Sequence, residues 1–386
     1  MRNATLAAFE SWPAAPLLVW VVIILGVALR LLAPLRGHNY DVDSYRIVAD
    51  IVAAGGNVYN GTTRYNYGPV WFHILHGLDL LPWFGDGNAL RWKVATFLTV
   101  VDVGLFVFLL RRYSLAVAAL FFLNPISIII TGYHSQFDNL AVLLGLLAAA
   151  SYGDARGRGV RALALVGLGL SLSVKHILFM FPFWLAFKER GWRAKSAVIL
   201  IPYLVFVGGF LFYLPGIEGI AKNVFGYRSF DNAPLWSIFL PDAVLSVVPK
   251  FMLFAGALFV LGFYWRKKSA LESLHFYLIA LVVFSSALAN QYLAICTPSI
   301  AVLWNWGYAV YTVAATAFLV VEKSGLHLFI DWNAGLGNYK PLIFLLAVGL
   351  FISAGGQGII TQAFTRVSRV VRRLGERIRT QVKPRG

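Results

Sequence analysis

The clearest candidates for chemistry are two carboxylates in a polar segment after the first apolar run. The segment reads Tyr40-Asp-Val-Asp-Ser-Tyr-Arg, and it places Asp41 and Asp43 just before a helical pattern from Ser44 to Ala54. That pattern carries one apolar stripe and is stopped by two glycines, which predicts a short amphipathic helix at an interface. A carboxylate at an apolar boundary is a better base than in water, because desolvation disfavours its charged form.

Each of the two acids also has a non-catalytic interpretation. Asp43 fits the N-cap of the predicted helix, where a carboxylate accepts bonds from free backbone N–H groups. Asp41 has no such role, and its alternative is a solvated loop acid. Further along, Tyr65 and Tyr67 precede a Gly-Pro helix start. These rings fit an aromatic belt at a membrane interface, and they also fit stacking on the apolar face of a sugar.

A second polar group, His134-Ser-Gln-Phe-Asp-Asn, interrupts two apolar runs. His134, Gln136 and Asp138 are either a polar turn or groups facing a cavity. His134 and Asp138 alone are too few ligands for a metal site. No cofactor is expected, and a divalent metal is not favoured.

Lys175 and His176 form a third group inside the apolar stretch from Leu170 to Phe181. Ionisable groups in such a place suggest a functional site. Lys175 could extend outward to water, pair with a fixed acid such as Asp138, or bind a lipid phosphate, which we favour. Arg228, in the loop Pro215–Leu240, is a second candidate phosphate contact, since arginine binds phosphate in a bidentate way.

Composition defines the setting of these residues. Of 386 residues, 59% are hydrophobic and 13% charged, whereas soluble domains have about 45–50% apolar and about 25% charged residues. Apolar runs long enough to span a bilayer recur along the chain. This excludes a soluble enzyme, a disordered chain and a disulfide scaffold, the last also because Cys296 is the one cysteine. Continuous rather than alternating runs exclude a porin-type barrel. The prediction is an all-α polytopic membrane protein.

The net charge of +16 is concentrated in a few places. The sequence after Gly358 contains eight basic residues and one acidic residue. Because the positive charge is localised in this way, it argues against a nucleic-acid partner. The basic loops at 111–112, 156–161, 188–195 and 266–268 are expected to be cytoplasmic together with the tail. This arrangement requires twelve crossings, with both termini inside. We expect one membrane domain over 1–358, its presumed site in the outer loop 35–90, and a basic cytoplasmic tail over 359–386. Arg30 is expected to extend to an interface.

The order of these motifs resembles a known class of enzymes. Tyr40-Asp-Val-Asp-Ser-Tyr-Arg, Arg64-Tyr-Asn-Tyr-Gly-Pro, Asn124-Pro125, His134-Ser-Gln-Phe-Asp-Asn, Ser173-Val-Lys-His and Asn290-Gln-Tyr-Leu follow one another over about residues 15–305. They are similar to motifs of the membrane glycosyltransferases of the GT-C fold class. Two groups are similar, namely the first mannosyltransferase of glycosylphosphatidylinositol assembly and the glucosyltransferases of lipid-linked N-glycan assembly. Tyr67-Gly-Pro departs from the Tyr-Pro-Pro of the glucosyltransferases.

The resemblance implies an inverting transfer of a sugar from a polyprenyl phosphate to a glycan or glycolipid acceptor, on the extracytoplasmic side. The sugar is mannose, glucose or another hexose or pentose. Asp41 would be the base with Asp43 beside it, and Lys175, His176 and Arg228 would bind the donor phosphate. The implied substrate-binding residues are Arg46, Tyr65, Tyr67, His134, Gln136, Asp138, Gln291 and Tyr292. Of these, His134, Gln136 and Asp138 would either bind the sugar or position the loop that carries the acids.

Two other functions compete with this interpretation. A transporter or lipid-linked-sugar flippase would place its ionisable groups near the midplane of the membrane, often in an inverted repeat. A non-catalytic membrane scaffold would tolerate the loss of one loop carboxylate. The expected location is an integral multi-pass protein, of the inner or plasma membrane in a prokaryote or of the endoplasmic reticulum in a eukaryote, with membrane lipids as its surroundings.

Overall fold

The structure is a computed structural model that describes residues 15–83, 89–155, 157–227, 232–321, 326 and 338–356. Over these residues the chain is helical and contains no strand. The prediction of an all-α protein is therefore confirmed for the described part. Arg228 and the basic tail 359–386 lie outside the described residues.

The segment that follows the first apolar helix, α1 (Ala15–Leu32), is the predicted outer loop; it consists of helices and is called the first outer segment below. A short 3-10 turn leads to α2 (Tyr40–Ala53), α3 (Val58–Gly61) and α4 (Pro69–Leu80). Helix α2 begins at Tyr40, four residues before the predicted start, and Asn39 occupies its N-cap position. The prediction that Asp43 is the N-cap is therefore wrong. Asp41 and Asp43 both lie in the first turn, where the helix dipole favours negative charge.

The next part of the chain begins with the long helix α5 (Ala89–Arg112) and continues with a broken pair. Helices α6 (Leu115–Phe122) and α7 (Pro125–Gly132) meet at a bend of 50°. The break has a local cause, because Pro125 cannot continue a helix and Asn124 caps the N–H of Ile126 instead. Helix α8 (Asp138–Asp154) and helix α9 (Arg158–Val174) follow.

After α9 the chain turns sharply at Lys175. This residue has an extended backbone, and the helical turns from His176 to Ala186, which include α10 (Phe181–Ala186), run at 120° to α9. The bend falls at Lys175 and His176, the two residues that interrupt the apolar stretch of the sequence. Helix α11 (Trp192–Gly208) then leads into mixed turns over 209–225. The remaining helices are α12 (Trp236–Phe239), α13 (Asp242–Val247), α14 (Lys250–Tyr264), α15 (Ala270–Val283), α16 (Tyr292–Ile295), α17 (Thr297–Val302), α18 (Trp306–Val321) and α19 (Lys340–Phe351).

Three of the described helices are long and apolar enough to cross a membrane, or five candidate spans if each bent pair counts as one. The three are Pro16–Arg36, Ala89–Arg112 and Trp192–Phe225. Shorter apolar helices, including α14, α15 and α18, accompany them. The composition and lengths are those of a membrane protein, while the number of twelve crossings stays a prediction.

The predicted cytoplasmic loops meet at one end of the helices. Arg112 pairs with Asp154 at 2.9 Å, which joins the loop after α5 to the end of α8. The hydroxyl of Tyr152 donates to Glu189 at 2.6 Å, and Lys188 donates to the carbonyl of Lys268 at 2.6 Å. Arg161 lies 4.0 Å from Glu189. Together these contacts connect the four basic loops through the end of α8, as expected if the positive charges share one side of a membrane.

Arg30 differs from its prediction. Its guanidinium is wholly buried, and its Nε donates to Asp102 of α5 at 2.7 Å. It also donates to the carbonyl oxygens of Gly26 and Phe122 and to the hydroxyl of Ser127. The expectation that Arg30 extends to an interface is therefore wrong, because a buried carboxylate compensates its charge where it lies.

Candidate functional site

Asp41 contacts the second polar group of the sequence. The amide Nε2 of Gln136 donates to Oδ2 of Asp41 at 2.5 Å. Gln136 is 2% exposed and lies in the loop between α7 and α8, whereas Asp41 is partly exposed. The pair joins residues 95 positions apart in the sequence, so the first outer segment and the loop before α8 form one site.

Of the partners predicted for Lys175, the structure contains the fixed acid, Asp138. Nζ of Lys175 donates to Oδ2 of Asp138 at 2.7 Å, and both side chains are buried. The ammonium also lies 4.8 Å from the ring centroid of Phe137 and 5.2 Å from that of Tyr67. Ring faces attract cations, which adds to the stabilisation of this buried charge. Whether a phosphate joins Asp138 as a partner stays a prediction.

One glycine permits this arrangement. A Cβ atom on Gly68 would lie 2.1 Å from the carbonyl oxygen of Ser173, at the end of α9. Only glycine allows so close an approach of the two backbones. The contact holds Tyr67 against the turn that carries Lys175, so the aromatic segment before α4 is part of the same site.

Electrostatics make Asp41 a suitable base. Burial raises the pKa of its carboxyl above the ordinary value, and the nearby charge of Asp138 acts in the same direction. The ammonium of Lys175, the hydrogen bond from Gln136 and the guanidinium of Arg64 oppose the rise. The net effect is a carboxylate that binds a proton more readily than in water, as general-base catalysis near neutral pH requires.

Some acceptor oxygens around Asp41 have no donor among the described residues. These are Oε1 of Gln136 and Oδ1 of Asp138, which are buried and accept no hydrogen bond there. Buried acceptors are nearly always satisfied in folded proteins, so such atoms at a site indicate a missing donor. A ligand with several hydroxyl groups would supply donors of this kind.

Lys175 also lines a large cavity of about 1110 Å³. His176 and Lys250 line it too, together with Gln291 and Tyr292. Its described lining includes no Asp or Glu, and much of it is apolar, with Ile177, Phe179, Met180, Phe206, Phe251 and Phe254. An anion with an apolar body fits such a surface better than a cation or a fully polar molecule does.

The remaining predicted residues are placed differently. Arg46 donates to Asp79 at 2.8 Å and thereby joins α2 to α4. Tyr65 is 1% exposed, and its hydroxyl donates to the carbonyl of Gly68 and accepts from the N–H of Phe72. Both side chains stabilise the first outer segment, and their contacts do not bring them to the cavity.

The last two predicted residues make polar contacts near the start of α2. Nδ1 of His134 lies 2.6 Å from Nδ2 of Asn39, and His134 is buried. The exposed carboxylate of Asp43 lies 3.0 Å from Nε2 of His38. Asp43 is therefore beside the site and faces solvent, which separates it from Asp41.

Sequence reasoning missed other parts of the site. Asn39, Phe137 and Asn139 have no signal that distinguishes them from ordinary polar or core residues. Ser135 has a backbone φ of 53°, which is uncommon outside glycine and often accompanies functional loops. Asp102 was hidden in an apolar run, although a lone acid in such a run is itself a signal.

Comparisons with protein-family models, with curated proteins and with solved structures found no match to this chain. In the described residues, no three His, Cys, Asp or Glu side chains lie close enough together to hold one metal ion. The arrangement itself combines a carboxylate of raised pKa, Asp41, with a buried ammonium, Lys175, which lines a largely apolar cavity. Such a site can remove a proton from a hydroxyl group and hold an anion next to it.

Proposed function

We propose that this chain is a multi-pass membrane glycosyltransferase that transfers a sugar from a polyprenyl phosphate to a hydroxyl group of a glycan or glycolipid. The observation that carries the proposal is the placement of Asp41 and Lys175. Asp41 has a raised pKa and bonds to Gln136, and Lys175 lines a large apolar cavity whose described lining has no carboxylate. The resemblance of the motifs to GT-C enzymes gives the same function.

In this reaction Asp41 takes the proton of the acceptor hydroxyl. The hydroxyl oxygen attacks the anomeric carbon from the side opposite the phosphate, so the configuration inverts. The bond from the anomeric carbon to the phosphate oxygen breaks, and the lipid phosphate leaves with the electron pair. Lys175 and His176 stabilise the negative charge that develops on the leaving oxygen, with Arg228 as a further candidate.

The cavity suits the donor. Its aromatic and aliphatic lining would receive the polyprenyl chain, and Lys175 lies where this lining meets the polar groups of the site. The unsatisfied acceptors of Gln136 and Asp138 would receive hydroxyl groups of the sugar. Gln291 and Tyr292 line the same cavity and are further candidates for sugar contacts.

The test uses purified protein in lipid vesicles with polyprenyl-phosphate mannose, glucose and arabinose, each labelled in the sugar. Membrane glycolipids and glycans serve as acceptors, and transfer to them is measured by mass spectrometry. Asp41→Asn should lower the rate by about 10²–10⁴, the usual effect of losing a general base. Asp43→Asn is the matched control and should stay near wild type, because Asp43 faces solvent. Equal rates in Asp41→Asn and wild type would contradict the role of Asp41.

We also propose twelve crossings with the site on the extracytoplasmic side. The linked basic loops at one end and Asp41 in the segment after α1 support this orientation. Single cysteines at Asp43 and Lys267 test it with a membrane-impermeant thiol reagent in intact cells, since native Cys296 is buried and should not react. Labelling at position 43 and protection at position 267 are expected. The reverse pattern would overturn the orientation.

A further inference from the structure

A second buried acid–base pair lies next to the site and takes no part in the proposed chemistry. Arg30 of α1 and Asp102 of α5 are both wholly buried and 2.7 Å apart. Asp102 accepts further hydrogen bonds from the hydroxyl of Thr131 at 2.8 Å and from Nδ2 of Asn139 at 2.7 Å. The pair therefore connects α1 and α5 to α7 and to the first turn of α8.

We propose that Asp102, held by Arg30, is a positioning residue for the site. Through Asn139 it fixes the first turn of α8, and that turn carries Asp138, the partner of Lys175. The bond from Asn139 to Asp102 and the bond from Lys175 to Asp138 belong to consecutive residues of one helical turn. A shift of this turn would move both bonds together.

The first turn of α8 lacks the usual local restraint. Its N-cap position is Phe137, which provides no side-chain hydrogen bond to the free N–H groups. Ser135, two residues earlier, holds an uncommon positive φ of 53°. Strained or uncapped backbone persists only where the surrounding structure determines it. The hydrogen bond from Asn139 to Asp102 holds this turn against α5. The bond is buried, and its acceptor is a charged carboxylate.

The geometric part of this inference can be tested without the reaction, while its effect on sugar transfer rests on the proposed function. The test compares Asn139→Leu with Ser127→Ala. Both remove a side chain that bonds to the Arg30–Asp102 pair, but only Asn139 belongs to α8. The readout is the rate at which Lys175 is acetylated in the folded protein, measured by peptide mass spectrometry. Melting temperature is recorded on the same samples.

Asn139→Leu should raise the acetylation rate of Lys175 about tenfold, the order expected when a hydrogen bond to a charged group is lost. Ser127→Ala should leave the rate near wild type. If Asn139→Leu does not fold, the double variant Arg30→Met with Asp102→Leu replaces it. That variant removes both charges together and also removes the acceptor of Asn139, and such replacements are often tolerated.

Unchanged acetylation of Lys175 in a folded Asn139→Leu or double variant would overturn the positioning role. An equal rise in Ser127→Ala would overturn it as well, because the effect would then be general loosening. Sugar transfer is measured separately. Raised acetylation without any transfer activity in the wild type would contradict the proposed function and leave the positioning role intact.

Discussion

The two buried ion pairs among the described residues, Arg30 with Asp102 and Lys175 with Asp138, differ in how completely their hydrogen bonds are satisfied. The guanidinium of Arg30 donates to Asp102, to two backbone carbonyls and to Ser127, and Asp102 accepts from Thr131 and Asn139 as well. In the pair of Lys175 and Asp138, one carboxylate oxygen accepts no hydrogen bond among the described residues. Its ammonium also lines a cavity.

The difference distinguishes an ion pair that stabilises the fold from one that is able to bind a ligand. In the pair of Arg30 and Asp102, every guanidinium nitrogen and both carboxylate oxygens have a partner, so the pair has little left to offer a ligand and holds helices in place. A pair that is incomplete and adjoins a cavity can exchange a partner when a ligand enters. A half-satisfied buried network is unfavourable unless something completes it. Under the proposed function, ligand binding therefore belongs to the pair of Lys175 and Asp138, whereas the pair of Arg30 and Asp102 holds the helices together.

The largest effect expected from this comparison is on stability. Asp102→Ala leaves the buried charge of Arg30 unpaired, and breaking such a pair costs about 3–5 kcal/mol. Asp138→Ala should cost less, roughly 1–3 kcal/mol, since Lys175 lines the cavity and can turn toward it. Denaturant unfolding in the same detergent measures both. A larger loss in Asp138→Ala would reverse the comparison.

The second effect concerns turnover. Lys175→Met should lower the rate of sugar transfer at saturating donor by ~10²–10³, the range for removing one group that stabilises a developing anion. Lys188→Met, at the other end of the molecule, is the control and should transfer sugar at a rate near wild type. A folded Lys175→Met protein with normal donor kinetics would exclude the phosphate role.

The third effect is on pH dependence. A base works only when deprotonated, so the transfer rate should fall as pH drops through the raised pKa of Asp41. This fall should lie above the value of about 3.9 for an ordinary aspartate. Because Lys175 lowers the pKa of Asp41, Lys175→Met should move the fall to still higher pH. The residual rate is measured against pH. A fall at the same pH in wild type and Lys175→Met would show that the two groups do not interact.

The smallest expected effect is on the pH dependence of stability. It comes from Lys188, whose ammonium is bound mainly by backbone carbonyl oxygens. Lys188 donates to the backbone of Trp265, Arg266 and Lys268. Burial lowers its pKa to about 8, below the value of about 10.4 in an unfolded chain. Between these values the unfolded chain binds more protons than the folded one, so stability should rise with pH there.

Melting temperatures at pH 7 and pH 10 check this last prediction, read as the difference between wild type and Lys188→Met. The wild type should gain relative to the variant as pH rises. Equal shifts in both proteins would mean that Lys188 does not titrate in this range.

Local patterns made much of the helical fold predictable from the sequence. Apolar runs and the polar interruption at Lys175 each act within a few residues, whereas the bend at Pro125 was not predicted. Long-range contacts were not predictable in the same way. The pattern before α2 favoured Asp43 as a cap, because nothing local shows that Asn39 takes that position.

The candidate site shows the same division. The types of Asp41, Gln136 and Lys175 marked them as chemical groups, while their mutual contacts depend on packing between distant segments. The prediction for Arg30 was wrong because its environment could not be recognised from the local sequence. Its position near a helix end suggested an interface, and its partner Asp102 lies 72 residues away in the sequence.

The close contact of Gly68 with Ser173 bears on how the protein is made. Asp41 and Gly68 leave the ribosome well before Ser173 and Lys175. The site around Asp41 is therefore incomplete until the later helices have been synthesised. Pairings between distant segments form late, since the intervening chain must first be ordered. A nascent chain that stops before residue 173 would contain Asp41 and lack Lys175. Completion of the site would then report that the first half of the protein has been correctly assembled.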